Sequence, residues 1–189
     1  MNLRKVTAGI SGRIVRVAIA SVLASATLVG ATSAAAHAGG YWQLDDGFDY
    51  QPASTWRIEA YGSSGGGFDL NAGTARTNPN NAYLWAQTQF SSVGRFVTLR
   101  NNSTRLDCGA GIYLTGLRGA KVNFEIINAS TNTYISLRTV TLSGGGYSQV
   151  TVPPWRGGPN TVYVRVSLLG NGVGFNLIRI DDLAVGCAY

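Results

Sequence analysis

The period of hydrophobic alternation limits this chain more than any other feature, and from Tyr41 onward that period is two rather than 3.6. Successive side chains on a strand point to opposite faces, so a half-buried strand must alternate. Val122, Phe124 and Ile126 share one face, with Asn123 and Glu125 on the other. Val162, Val164, Val166 and Leu168 likewise oppose Tyr163, Arg165 and Ser167. Strands are predicted over Tyr83–Thr88, Phe96–Arg100, Cys108–Leu114, Val122–Ile127, Thr133–Leu142, Tyr147–Val152, Val162–Leu168 and Phe175–Val185. These segments are rich in Val, Ile, Thr, Tyr and Phe. Compact Gly, Asn and Pro loops separate them, at Asn128–Asn132, Ser143–Gly146, Arg156–Asn160 and Gly170–Gly172. No stretch supports an amphipathic helix of about ten residues. The expected fold is therefore all-β: a single antiparallel two-sheet β-sandwich of the jelly-roll kind.

The N-terminus has a different character. Arg4, Lys5, Arg13 and Arg16 form a positive segment, Val17–Ala31 is uncharged and rich in Ala, Val and Leu, and Ala36-His37-Ala38 supplies small residues at a cleavage site. This is the order of a secretory signal peptide. The apolar run is shorter than the ~20 residues that span a bilayer. Residues 1–38 are expected to be removed, which leaves residues 39–189 as one domain, exported, extracellular and not attached to a membrane.

Cleavage changes the charge. Losing four of the 15 basic residues leaves 11 against nine acidic ones, a net charge of +2. No basic excess remains to read nucleic acid. The only histidine, His37, leaves as well. Cys108 and Cys187 are the two cysteines, and an even pair in an exported protein points to a disulfide. Such a bridge would close a loop of about 80 residues and contribute roughly 4 kcal/mol. The alternative is two buried thiols.

The last predicted strand contains a break in parity. Ile178 and Ile180 share a face, but the next apolar pair is Leu183 and Val185, so the alternation shifts across Asp181-Asp182. That predicts a bulge or local twist. Adjacent carboxylates at a kink are costly unless a cation or several donors compensate them.

Both ends of the domain resemble a known family. Gly47-Phe48-Asp49 followed by Trp56 looks like the "GFE…W" opening of secreted carbohydrate-binding modules of the galactose-binding-like β-sandwich type. Ile178-Arg179-Ile180-Asp181-Asp182-Leu183-Ala184-Val185 is similar to their closing "I-x-I-D-D-V-x-V" strand, and the likeness extends across about residues 44–187. The resemblance implies a structural Ca²⁺ site with Asp49 and Asp181 as side-chain ligands and Asp182 as substitute, completed by backbone carbonyls. Asp49 stands where the family commonly has Glu, one methylene shorter, and Asp45 and Asp46 lie just upstream.

A sugar-binding face needs flat rings beside polar side chains. Alternation sets Tyr113 opposite Ile112 and Leu114, sets Tyr134 and Arg138 opposite Ile135 and Leu137, and sets Tyr163 and Arg165 opposite the Val row. Glu125, Tyr113, Tyr134, Arg138, Tyr163 and Arg165 are the candidate saccharide platform. Trp155, between Pro153-Pro154 and a Gly loop, is a candidate exposed loop aromatic, whereas Trp56 and Trp85 are expected in the core.

Catalysis has little to draw on. Without histidine neither a Ser-His-Asp nor a Cys-His arrangement exists. Glycosidases need two carboxyls flanking the bond, yet Glu59 and Glu125 are the only glutamates and neither sits in a recognisable motif. The expectation is a monomeric, non-catalytic module binding a polysaccharide or glycan. A cell-surface or matrix protein making protein contacts, and a small polysaccharide hydrolase or lyase, are the competing readings.

Overall fold

The computed structural model describes residues 41–77, 79–99 and 107–188, so the signal peptide expected over 1–38 lies outside the described residues. In chain order the elements are β1 (Tyr41–Asp46), α1 (Pro52–Thr55), β2 (Arg57–Tyr61), β3 (Ser64–Asp69), β4 (Asn81–Ala86), β5 (Phe90–Thr98), β6 (Asp107–Gly116), β7 (Lys121–Asn128), β8 (Tyr134–Thr141), β9 (Ser148–Thr151), β10 (Trp155–Arg156), β11 (Thr161–Leu169) and β12 (Asn176–Cys187). They form two sheets with antiparallel pairing throughout. The five-stranded sheet runs β2-β5-β11-β7-β8, and the seven-stranded sheet runs β10-β6-β12-β4-β3, with β1 also on β12 and β9 also on β6. Among the described residues no helix is long and apolar enough to cross a membrane.

The alternating rows fill the space between the sheets. Val122, Phe124 and Ile126 from β7 and Val162, Val164, Val166 and Leu168 from β11 are fully buried. They meet Leu84, Ile112, Leu114, Ile178, Ile180, Leu183 and Val185 of the other sheet in one cluster. Each such side chain contributes about 1.5–3 kcal/mol by leaving water. Phe48 and Trp56 close one margin of this core, with ring centroids 4.7 Å apart, as the opening motif leads one to expect.

Four strands, β1, β2, β3 and β10, escape a reading based on alternation. β3 is Ser64-Gly65-Gly66-Gly67-Phe68-Asp69, a sequence of poor β-propensity. It forms because its partner β4 needs the missing side chains. A Cβ at Gly65 would lie 2.7 Å from Trp85 Nε1, and one at Gly67 would lie 2.8 Å from the Tyr83 hydroxyl oxygen. The rings of Trp85 and Tyr83 thus lie against bare backbone. This overturns the core placement of Trp85: the ring is half-buried and stacks on exposed Phe175 at 5.9 Å, while Leu84 beside it points inward.

The disulfide is present. Cys108 and Cys187 are cross-strand partners on β6 and β12 and are bonded to each other. β10 pairs alongside, Trp155 opposite Cys108. Trp155 is 7% exposed and belongs to the core, which corrects its placement as an exposed loop aromatic. Two prolines and a glycine loop around it mark a short strand here, and its ring fills space beside the bridge.

Candidate functional site

The outer face of the five-stranded sheet presents residues in cross-strand rows. One row is Phe96, Tyr163, Ile127 and Tyr134 across β5, β11, β7 and β8. The next is Arg57, Gly94, Arg165, Glu125 and Leu137, and the third is Glu59, Ser92, Ser167, Asn123 and Thr139. One row is therefore largely aromatic and the two beside it are largely polar. Phe96 is 50% exposed and Tyr134 58%. The Phe96 and Tyr163 rings pack at 4.8 Å, and the Arg57 guanidinium lies 5.8 Å from the Phe96 centroid.

Glu125 is the anchor of this face. Its carboxylate is buried and accepts hydrogen bonds from Arg165 Nε at 2.5 Å, from the Ser167 hydroxyl at 2.9 Å and from the Tyr134 hydroxyl at 3.3 Å. A buried ion pair is tolerable only when its remaining polar positions are met, and the hydroxyls meet them. Burial opposes the charge on Arg165, but the hydrogen bond and charge of Glu125 outweigh it and raise the guanidinium above its ordinary range. Glu125 thus orients Tyr134 and Arg165 rather than standing free as a ligand contact.

Gly94 shapes the floor. A Cβ there would sit 2.7 Å from the Tyr163 ring and 2.8 Å from the Val164 carbonyl oxygen, so only glycine lets Tyr163 lie across β5. The Tyr163 hydroxyl is buried with no hydrogen-bond partner among the described residues. Burial, with the nearby charge of Glu59, raises its pKa, and Arg165 and Arg57 act in the opposite sense.

Four of the six sequence-chosen platform residues come together here: Glu125, Tyr134, Tyr163 and Arg165. Two do not. Between β7 and β8 the register shifts, with Ile127 opposite Tyr134 but Ile126 opposite Ser136. Ile135 is the extra residue, and the parity of β8 reverses beyond it. Arg138 consequently pairs with core residue Phe124 and lies on the opposite face of β8 from Tyr134. Tyr113 belongs to the other sheet, opposite Asp181 and Gln149. Sequence reasoning missed Phe96, Arg57 and Glu59. Val93, Val97 and Leu99 alternate and would have turned Phe96 outward, whereas β2 has only Ile58 packed against the core to mark its parity.

The acid corner lies on the seven-stranded sheet. The register of β12 on β6 shifts between Asp181 and Ala184, and Asp182 takes a left-handed φ of 46°. This is the break that the parity of the sequence predicts. Asp181 is fully buried, and both its oxygens accept backbone amides: Oδ2 from Arg76 at 2.6 Å and Thr77 at 3.3 Å, Oδ1 from Asp182 at 2.8 Å. Burial raises its pKa, and those amides work against the rise. Asp182 accepts the Thr77 hydroxyl at 2.5 Å and is ion-paired with Arg76. Asp46 is likewise engaged, by Phe48 N at 2.7 Å, Trp56 Nε1 at 3.0 Å and Arg95 at 2.6 Å. Burial also raises the pKa of Asp49, with the charges of Asp46 and Asp182 adding to the rise and a hydrogen bond from Asn80 opposing it.

Calcium requires several oxygen atoms free to converge on one point. Asp49, Asp181 and Asp182 lie at one corner, but Asp181 and Asp182 direct their oxygens at amides, a hydroxyl and a guanidinium. Among the described residues no group of three or more His, Cys, Asp or Glu side chains is arranged to hold a metal. The donor set as folded does not fit the ion.

No protein-family model matches the sequence, and no curated protein matches it. Solved structures do. A family-61 carbohydrate-binding module in complex with β-1,4-galactotriose superposes with a TM-score of 0.52 at 16% identity, covering 74% of this chain and 92% of that one. The CBM22-1 xylan-binding domain from Paenibacillus barcinonensis Xyn10C gives 0.55 at 11% identity, over 79% of this chain and 96% of that one. A family-4 carbohydrate-binding module gives 0.52 at 15% identity, over 74% and 99%. The chain has the β-sandwich fold of carbohydrate-binding modules. At these identities the likeness concerns the fold, and the ligand has to be argued from the side chains.

Proposed function

We propose that the protein is a secreted, non-catalytic module that holds an extracellular polysaccharide or glycan against the outer face of its five-stranded sheet. The observation that carries this reading is the row of Phe96, Tyr163 and Tyr134, braced by the Arg165–Glu125 pair. Two of those rings are half or more exposed, and they sit beside polar side chains that offer both donors and acceptors. Pyranose rings present C–H faces and hydroxyl edges, which suit an aromatic row flanked by polar ones. The shared fold with modules solved as galactotriose and xylan binders adds support. The sequence of residues 1–38 supports export.

The non-catalytic part rests on Glu125. A glycosidase needs two carboxyls that flank the scissile bond, whereas this carboxylate is buried under three hydrogen bonds. Pull-down on insoluble cellulose, chitin, xylan and cell-wall material, followed by a glycan array, tests the proposal. Retention that falls on Phe96→Ala and Tyr134→Ala is the expected result. Uniform absence of binding overturns it.

One observation favours a second reading, contact with another protein. On the outer face of the seven-stranded sheet, Trp85 stacks with Phe175, which is 56% exposed, and Val173 nearby in sequence is 90% exposed. Apolar groups clustered in this way are common at interaction surfaces. Phe175→Ser would reduce protein capture and spare glycan retention if that reading holds.

A further inference from the structure

The segment between β3 and β4 crosses the outer face of the seven-stranded sheet and is tied at several points. Asn80 donates to the Phe48 carbonyl at 3.0 Å, the Thr74 hydroxyl donates to Asp69 at 3.1 Å, and the Tyr147 hydroxyl donates to the Thr74 carbonyl at 3.0 Å. Its centre is the tightest point. Two consecutive backbone amides, of Arg76 and Thr77, cap buried Asp181, while the side chains of the same two residues engage Asp182. The Arg76 guanidinium lies 3.6 Å from the Tyr113 centroid, so its charge is held between an aromatic face and a carboxylate. Both contacts favour a cation at that position.

A hard divalent ion holding such a corner would do three things: offset adjacent carboxylates, draw a loop onto the strand, and fix the kink. Each task is already performed by residues 76 and 77. Arg76 supplies the counter-charge, the two amides satisfy Asp181, and the Thr77 hydroxyl completes Asp182. We propose that Arg76 stands in for a bound cation at Asp182 while backbone amides hold Asp181, so that the closing corner of this sandwich is independent of calcium. The resemblance of the end motifs leads one to expect a calcium ligand set here, and the present geometry departs from that expectation. The proposal is independent of whether the opposite sheet binds sugar.

Thermal unfolding of the purified chain tests it, with EDTA, with millimolar calcium, and in Arg76→Gln and Arg76→Lys. The wild-type Tm is expected to be the same in EDTA and in calcium. Arg76→Gln should lower Tm by roughly 2–4 °C, and Arg76→Lys, which keeps the charge, should recover part of that loss. A calcium-dependent rise in the wild-type Tm, or an Arg76→Gln variant with wild-type Tm, would overturn the proposal. If Arg76→Gln does not fold, isothermal titration of the wild-type chain with calcium still decides. Stoichiometric uptake of calcium refutes the proposal, and no heat of binding upholds it.

Discussion

The two sheets use the same device for different ends. Each carries an arginine paired to a carboxylate: Arg165–Glu125 on the five-stranded sheet and Arg76–Asp182 on the seven-stranded one. Glu125 is 2% exposed, with Arg165 at 21%, whereas Asp182 and Arg76 are 20% and 37% exposed. The first pair is enclosed within one sheet face and keeps aromatic rings upright. The second ties a loop to a strand. The seven-stranded sheet also holds the disulfide and the Asp181-Asp182 bulge, so closure is concentrated there, and the smaller sheet is left to present a surface. Variants in the larger sheet should therefore cost stability and spare ligand retention, and variants on the smaller one should increasingly do the reverse.

Loss of the bridge gives the largest expected effect. Cys108→Ser with Cys187→Ser frees a loop spanning a sequence separation of 79, and should cost about 4 kcal/mol in denaturant unfolding while glycan retention below the melting range stays unchanged. Glu125→Ala comes next. It strands the mostly buried Arg165 charge and releases Tyr134, so a loss of about 3 kcal/mol is expected, together with weakened retention on the glycan support. Gly94→Ala follows, because a methyl there meets both the Tyr163 ring and the Val164 carbonyl. Overpacking of this kind costs about 2 kcal/mol, and displacing Tyr163 should weaken retention. Phe96→Ala should have the smallest effect on stability, within about 0.5 kcal/mol for an exposed side chain, yet abolish or strongly reduce retention. If Phe96→Ala proves the most destabilising of the four and leaves binding intact, the division of labour between the sheets is wrong.

How much of this was legible in the sequence depended on where the signal lay. The rows of β7 and β11 could be read because every second residue is a large apolar one with a solvated or paired neighbour. The bulge at Asp181-Asp182 could be read for the same reason, as a break in an otherwise regular row. β3 could not, because the reason for its three glycines lies in Tyr83 and Trp85 of another strand. The face of Arg138 was misassigned through a single extra residue at Ile135, since a slip of one inverts every side chain that follows. Trp155 reads as a loop residue because its burial depends on pairing opposite Cys108, a contact 47 positions away in the sequence. Of the site itself, the polar anchor and two of the tyrosines were visible. Arg57 and Glu59 were not, because β2 declares its parity weakly, whereas Phe96 was legible from the alternation of Val93, Val97 and Leu99 on β5.

β12 comes last in sequence among the described strands, yet it lies in the middle of the larger sheet, between β6 on one side and β4 and β1 on the other. The pairs β3–β4 and β9–β6–β10 can form by themselves, but nothing joins them into one sheet until β12 is available. A growing chain would keep the two parts of this sheet unjoined, with the smaller sheet free to form first from β2, β5, β11, β7 and β8. Pairing at such sequence separation is slow. The strand that completes the larger sheet is thus also its centre, so the sheet closes in one late step rather than growing outward from an early hairpin.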